Sequence, residues 1–510
     1  MKYIDYVQLS PIQKFTNGLA GFFVNLPKNF VNGIKFIISK IIAFFIAIGL
    51  GFKNFGERFV QGGWSTKLSY FIMGTGCMAK GQIVKGILFL AIQVGYIMYM
   101  TTFAWQYICK VGTLGTVSSS RVLNNDGIYV NVYGDNSMLI LLYSVLTLMV
   151  TALVIGLYVA NTKSAKKCED LVSLGKKPMK ITDEIKDLLD QRYHITLLSL
   201  PVILVGIFTI IPLIFMILIA FTNYDSVHQP PDKMFTWIGF GNFTDVFFDN
   251  PKKAYTFQNI AIWTMIWAVV ATFSNYFLGI IFSLMINKKS IKCKSLFRTL
   301  FVIAIAVPQF VTLLLMAQML NEHGVVNVFL RDIGVVDLLH NWGWVQETRN
   351  FVPFLVEEVW AKFTVIFVNM WIGIPFTILI TSGILMNIPE ELYESARIDG
   401  ASPVVAFFKI TMPYMLFVTT PYLIQQFIGN INNFNLIFFL TNGGPAADPP
   451  YYNAGSTDLL VTWLYKLTME KQDYALAATI GILVFLLSAT ISLVTFNLTK
   501  SAKNEEEFSW

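Results

Sequence analysis

The chain has 510 residues, of which 55% are apolar and 13% charged, and its mean hydropathy is +0.59. A soluble domain carries roughly 25% charged residues, so this composition excludes a soluble enzyme, a disordered tail and a disulfide scaffold, and is that of an integral membrane protein. A net charge of +6, scattered over loops, leaves no nucleic-acid footprint and is what basic loops on one side of a bilayer produce.

The N-terminal region 1–83 lacks the charged, apolar, small-residue order of a cleaved signal peptide and is expected to be retained. Its apolar run 36–52 is short for a crossing, contains Lys40 and is flanked by Lys35, Lys53 and Arg58, which predicts an interfacial or re-entrant helix. Apolar windows long enough to cross follow near 84–106, 137–160, 194–222, 258–286, 298–320, 360–386, 413–440 and 474–498. The predicted fold is all-α and polytopic, with about eight transmembrane helices: two accessory spans over 84–160 and a six-helix core over 194–500, ending in a tail at 501–510. The loop 161–193 carries Lys163, Lys166, Lys167, Lys176, Lys177, Lys180, Lys186 and Arg192, and a second basic loop carries Lys288, Lys289, Lys292, Lys294 and Arg298. Lys and Arg collect on the cytoplasmic side, so both loops and both chain ends are expected inside.

Within the core spans ionisable residues are nearly absent, which speaks against proton relays and an ion-coupled carrier. Pro201, Pro212, Pro308, Pro375 and Pro421 are expected to bend or interrupt helices, while Asn369, Gln425, Gln426, Asn430, Asn432 and Asn433 put uncharged amides inside the membrane. Such groups suit a neutral, hydroxyl-rich substrate or simply hold helices together; the pattern alone leaves both open. There is no GxxxxGK[ST] loop, so active transport would need a motor on another chain. Cys77, Cys109, Cys168 and Cys293 have no CxxC spacing, and His194, His228, His323 and His340 form no HExxH, so no metal site is predicted. A polytopic membrane enzyme would need clustered acids near one interface; the doublets Glu357-Glu358 and Glu390-Glu391 read more simply as solvated faces or helix starts.

The most informative stretch is 390–413. Glu394-Ser395-Ala396-Arg397-Ile398-Asp399-Gly400 is followed, after nine residues, by Ile410-Thr411-Met412-Pro413. Pro389 and the acids behind it start a short helix, Asp399-Gly400 break it, and a second helix is expected to run to Pro413 at the next crossing. This stretch resembles the EAA loop of ATP-binding-cassette importer permeases, departing from it only at Ser395 and Met412. In that family the loop docks on the ATPase, which implies coupling roles for Glu394, Ala396, Asp399, Gly400, Ile410 and Pro413.

Further runs narrow the resemblance. Asn369-Met370-Trp371-Ile372-Gly373-Ile374-Pro375-Phe376, Phe427-Ile428-Gly429-Asn430-Ile431-Asn432-Asn433-Phe434, Leu440-Thr441-Asn442-Gly443-Gly444-Pro445 and Thr457-Asp458-Leu459-Leu460-Val461 are similar to the larger membrane subunit of the binding-protein-dependent maltose and maltodextrin importers. That likeness implies a plasma-membrane permease subunit, not itself an enzyme, that imports a maltodextrin-type or other oligosaccharide by alternating access. The implied partners are a second homologous permease, a dimeric ATP-binding-cassette ATPase that holds ATP and Mg, and an extracytoplasmic sugar-binding protein. It further implies sugar contacts at Asn369, Ile372, Gly373, Phe376, Gly429, Asn430 and Asn433. Asn offers donor and acceptor to hydroxyls, Phe376 a flat face to a pyranose, and Gly373 either room for sugar or a close helix contact. Ile305 and Gly429 stand where the family has site aromatics, which implies weaker or displaced stacking. The outer loop 441–474 is turn-rich and, by the resemblance, touches the binding protein, or else is a plain connection. The family's large outer insertion is absent between Phe221 and Gln258, which hints at a Gram-positive cell.

Overall fold

The computed structural model describes residues 39–498 apart from 41, 44, 124, 125, 127, 180, 289 and 290. The tail 501–510, residues 1–38, and positions 41 and 44 of the expected interfacial helix thus lie outside the described residues. The chain divides into two compact units, one holding residues up to Cys109 with Tyr143–Ile211, the other Lys110–Leu142 with residues from Pro212 onward.

In the first unit a helix over residues 45–61 (α1) leads through α2 (Trp64–Leu68) and α3 (Thr75–Met78) into α4 (Ile83–Ile108). It also holds most of α5 (Ser137–Ser173), α6 (Ile181–Leu189) and the start of α7 (Tyr193–Ile219). The turn between α2 and α4 is possible only because it is built on small residues. A Cβ on Gly74, at φ +89°, would lie 2.0 Å from the Gly86 carbonyl oxygen. Buried Asn161 of α5 fastens this turn, accepting from Gly74 N at 2.9 Å and donating to Ser69 O at 3.0 Å. The basic segment 161–193, expected as a loop, is largely helical: α5 runs on to Ser173, and α6 follows. Its apolar signal ends at 160, but Lys, Ala and Glu are strong helix formers and the buried face of Asn161, Ala165 and Cys168 holds the extension in place. Gln82 donates to Met179 O and Glu184, and Lys85 pairs with Glu184 at 2.8 Å, which fixes the elbow before α4.

The second unit begins with the hairpin β1 (Ser120–Leu123) and β2 (Tyr129–Val132), antiparallel with Arg121 opposite Asn131. Its helical core is α8 (Pro251–Asn287), α9 (Lys294–Ala306), α10 (Gln309–Met319), α11 (Val325–Asp332), α12 (Val335–Asn341) and α13 (Glu358–Leu385). After these come α14 (Glu390–Ile398), α15 (Pro403–Ile431), α16 (Phe434–Leu440), α17 (Leu460–Met469) and α18 (Tyr474–Leu498). Asn250 caps α8 by accepting from Lys253 N, with Pro251 as its first residue. α8 then packs along α13 through a stripe of small and polar residues: Asn275 against Gly373, Gly279 against Thr377, and Ser283 bonded to Ser382 at 2.7 Å. Lipid offers no hydrophobic drive between helices, so close approach and interhelical hydrogen bonds hold such a pair. Around it Trp267, Trp463, Leu476 and Ile480 are fully buried.

Among the described residues seven helices are long and apolar enough to cross a membrane. The fifth of the eight expected spans, 298–320, is two helices, because Val307 and Pro308 both take extended backbone between α9 and α10. The residue before proline is driven out of the helical region, and here the chain follows. The span expected at 413–440 is corrected as well. It starts earlier, at Pro403, and stops at Ile431, since Asn432 and Asn433 leave helical geometry and their side chains bond local backbone, at Ile428 O and Leu436 N.

Candidate functional site

Both helix breaks face one cleft of about 630 Å³ in the second unit. Ile305, Val307, Pro308 and Gln309 come from the α9–α10 break, Asn369 and Phe376 from α13, and Gly429, Asn430, Asn432, Asn433 and Phe434 from the α15–α16 break. All seven expected sugar contacts, Asn369, Ile372, Gly373, Phe376, Gly429, Asn430 and Asn433, line it. Among the described residues no acidic or basic side chain does; the wall they form carries eight amides, Thr312 and the aromatics Trp371, Phe376 and Phe434. The cleft can therefore offer many neutral donors and acceptors but no charge to pair with an ion.

The seven residues do different work. Asn430 is buried and its Nδ2 donates to Thr272 Oγ1 at 2.9 Å, while its carbonyl accepts from Trp267 Nε1 at 3.0 Å. Asn433 accepts from Leu436 N and caps α16. Both amides thus spend polar groups on the fold. Asn369 is equally buried, yet its Nδ2 has no partner in the protein, and a shielded donor without one costs about 1–3 kcal/mol. Phe376 is half exposed and inclined against Tyr422, with ring centroids 6.3 Å apart. A Cβ on Gly429 would meet nothing within 4 Å, so this position opens onto free space where the resemblance expects an aromatic. Ile372 also packs against the buried cluster around Trp263 and Leu436.

Gly373 answers to the close helix contact. A Cβ there would stand 2.4 Å from Asn275 Nδ2 on α8. Asn275 was not singled out from the sequence, although it is an amide inside an otherwise apolar span, and its buried Oδ1 has no partner. Together Asn275 Oδ1 and Asn369 Nδ2 give the wall one acceptor and one donor left unsatisfied by protein. Gln309, Thr312 and Asn435 were likewise missed; they lie beside the two breaks, which hydropathy does not reveal.

The second set of expected residues forms an elbow. Every residue of α14 is at least partly exposed, Glu394 among the exposed ones, and Glu390 and Glu391 occupy its first turn. Gly400 at φ +76° ends it: Ala401 N donates to Ala396 O at 2.8 Å and Gly400 N to Arg397 O at 3.1 Å, a left-handed helix stop. Ser402 caps the next helix through Val405 N, with Pro403 first in it. That helix does not end at Pro413 as expected. It continues as α15, with one π turn over Phe407–Thr411 directly before Met412 and Pro413. A wider turn there relieves the clash between the proline ring and the carbonyl four residues earlier. Tyr393 bonds Thr411 at 2.8 Å and ties α14 to α15. Ile398, 87% exposed, leads an apolar rim with Val404 and Phe408.

The loop 441–474, expected on the outer side, is compactly built. Asp458, wholly buried, accepts from Gly455 N and from Lys466 Nζ, each at 2.7 Å, and Lys466 also donates to Asn442 O. Gly443, at φ +75°, leaves no room for a Cβ beside Asp458.

The family described as "Binding-protein-dependent transport system inner membrane component" matches residues 275–503. The Maltodextrin transport system permease protein MdxF of Bacillus subtilis (strain 168) is 33% identical over 442 residues, 85% of this chain and 95% of that protein. The Galactooligosaccharides transport system permease protein GanP of the same strain is 32% identical over 436 residues, 85% of this chain and 97% of that protein. Among solved structures, a bacterial ABC transporter involved in the import of the acidic polysaccharide alginate aligns at TM-score 0.46 and 22% identity, over 62% of this chain and 99% of that one.

Proposed function

The chain belongs to the family of binding-protein-dependent transport system inner membrane components, and from that premise we propose that it carries maltodextrin-type oligosaccharides through the uncharged cleft between α9, α13 and α15. The single observation behind the substrate class is the cleft wall: eight amides and three aromatics, with no ionisable group. Sugar hydroxyls match amides that both donate and accept, and ring faces match Phe376 and Phe434. The two relatives described above, each matched over nearly its whole length, have neutral oligosaccharides in their names, which supports the same class here.

In this reading a second permease completes the pathway, an extracytoplasmic binding protein delivers sugar, and an ATPase dimer, holding ATP and Mg, receives the exposed α14 elbow. The basic loops support placing both chain ends in the cytoplasm, and the short segment between Phe221 and Gln258 supports the membrane of a Gram-positive cell. Coupling follows from one geometrical fact: α15 is a single helix from Pro403 beside the elbow to Ile431, just past Asn430 in the cleft, 29 residues in all, or about 43 Å at 1.5 Å per residue. Movement of α14 would be carried along it to Gly429 and Asn430.

The test is gentle extraction from native membranes, identification of co-purifying chains, and ATP hydrolysis with the binding protein and either maltodextrin or galactooligosaccharide. A second permease, an ATPase and stimulation by maltodextrin are expected. Stimulation by the galactooligosaccharide alone would reassign the sugar; a chain that purifies alone and still moves sugar would overturn the importer reading.

A further inference from the structure

A second cavity lies in the first unit, lined by none of the residues expected to touch sugar. It has a volume of about 460 Å³, and Arg58 and Gln61 of α1 face Lys163, Lys166, Lys167 and Asp170 of α5 across it. The cations outnumber the carboxylate four to one. The one carboxylate is already engaged: Asp170 pairs with Lys166 at 2.9 Å, and Lys166 also donates to Gln61 O. Neighbouring acids are engaged elsewhere, Glu169 by Gly63 N and Thr66, and Glu57 by Lys53 at 3.8 Å. Arg58, Lys163 and Lys167 are thus left uncompensated around one hollow. Lys163 and Lys167 stand one turn apart on the same helix face, and Arg58 Nε is shielded from solvent without a hydrogen-bond partner. Three like charges held together repel one another and cost free energy unless an anion joins them. Arginine's fork and the lysine ammonium groups are the usual means of holding a phosphate.

The surroundings identify where such a phosphate comes from. The helix that supplies Arg58 turns Phe45, Ile46, Leu50, Phe52 and Val60 outward, and Leu174 stands exposed at the cavity rim. An apolar helix face beside a cationic hollow matches a molecule with acyl chains and an anionic head. We propose that Arg58, Lys163 and Lys167 bind the phosphate of an anionic phospholipid headgroup, with the acyl chains lying against α1. This site anchors the accessory helices to a charged lipid, independently of what the cleft transports.

The experiment is native mass spectrometry of the full chain in detergent, titrated with phosphatidylglycerol, phosphatidylcholine or inorganic phosphate. Phosphatidylglycerol is expected to bind selectively, and Lys163→Gln with Lys167→Gln to weaken it about thirtyfold, at roughly a factor of five per removed charge. The arginine pair, Lys163→Arg with Lys167→Arg, should restore binding, which separates loss of charge from loss of folding. Lys176→Gln with Lys177→Gln, two cations outside the cavity, should leave it unchanged. Equal binding of phosphatidylcholine, undiminished selectivity in the glutamine pair, or displacement by equimolar inorganic phosphate would each overturn the proposal.

Discussion

Gly373 is the position where packing and substrate binding can be separated by experiment. A methyl group there would lie 2.4 Å from Asn275 Nδ2 and 2.8 Å from its Cγ, whereas ordinary contact begins near 3.4 Å. Asn275 would have to retreat by about 1 Å, and because its Cγ as well as its Nδ2 is too close, turning the amide alone does not clear the methyl. Forced overpacking of this kind costs about 1–3 kcal/mol, while replacing a helical glycine by alanine returns about 1 kcal/mol. Gly373→Ala alone should therefore be destabilising by up to about 2 kcal/mol, a fall of a few degrees in the unfolding midpoint of the purified chain. In an Asn275→Ala background the obstacle is gone, and the same substitution should be neutral or stabilising by up to about 1 kcal/mol. Thermal unfolding of the four proteins of this cycle, in one detergent, reads the coupling directly. An equal loss from Gly373→Ala in both backgrounds would refute the contact with Asn275 and return Gly373 to a role defined by sugar alone.

Asn369→Leu should leave stability unchanged or slightly higher, because Nδ2 has no protein partner, yet raise the sugar concentration for half-maximal uptake by about threefold to tenfold. Asn430→Leu should do the reverse in part, lowering stability by about 1–3 kcal/mol as Thr272 loses its bond; equal stability of both variants would dissolve the distinction. Charge reversal at exposed Glu394 should cut uptake at least about tenfold, since a like-charge contact at a docking surface costs several kcal/mol, while co-purification of the partners persists; near-normal uptake would remove the elbow's coupling role. Asp135 lies outside the spans, and the Lys110 ammonium at 2.6 Å, then Thr116 and Val117 N–H groups, hold its carboxyl below the usual range. A depressed folded value means that its stabilisation is complete above the ordinary carboxylate range and is lost as pH falls through the folded value. The difference in unfolding midpoint between the natural chain and Asp135→Asn should shrink on acidification, and a constant difference would refute the assignment.

What the sequence disclosed follows from which signals are local. Long apolar windows located the crossings, and the spacing from Glu394 to Pro413 located the elbow, because a helix, a Gly stop at Gly400 and a capped restart at Ser402 are each set by nearby residues. All seven residues expected to touch sugar came to line one cleft, although their contact with a sugar is a matter for experiment. The breaks were less legible. Pro201, Pro375 and Pro421 sit inside continuous helices while Pro308 ends one, so proline marks a weak point and tertiary packing decides whether the chain yields there. Asn275 was hidden because its importance arises from Gly373, almost a hundred residues away. Asp458 was visible as a letter in a loop, but only the fold brings it, buried, to Lys466.

The pattern of broken and unbroken helices ties the two candidate regions together. Irregular backbone at membrane depth leaves N–H and C=O groups unpaired, a cost borne only where they face a cavity or protein. The two breaks at Val307–Pro308 and Asn432–Asn433 both line the cleft, so the place where the helices give way is also the place with polar groups to offer. Between the elbow and that cleft the opposite holds: α15 stays helical through Pro413 and Pro421, with a π turn before the first, although each proline removes one backbone donor. A continuous helix can move as a unit, whereas a wall interrupted at Val307 can swing at its break. In the reading proposed above, force applied at Gly400 would reach Gly429 along one continuous helix and meet a wall broken at Val307, which is the mechanical condition for a cleft that opens to alternate sides.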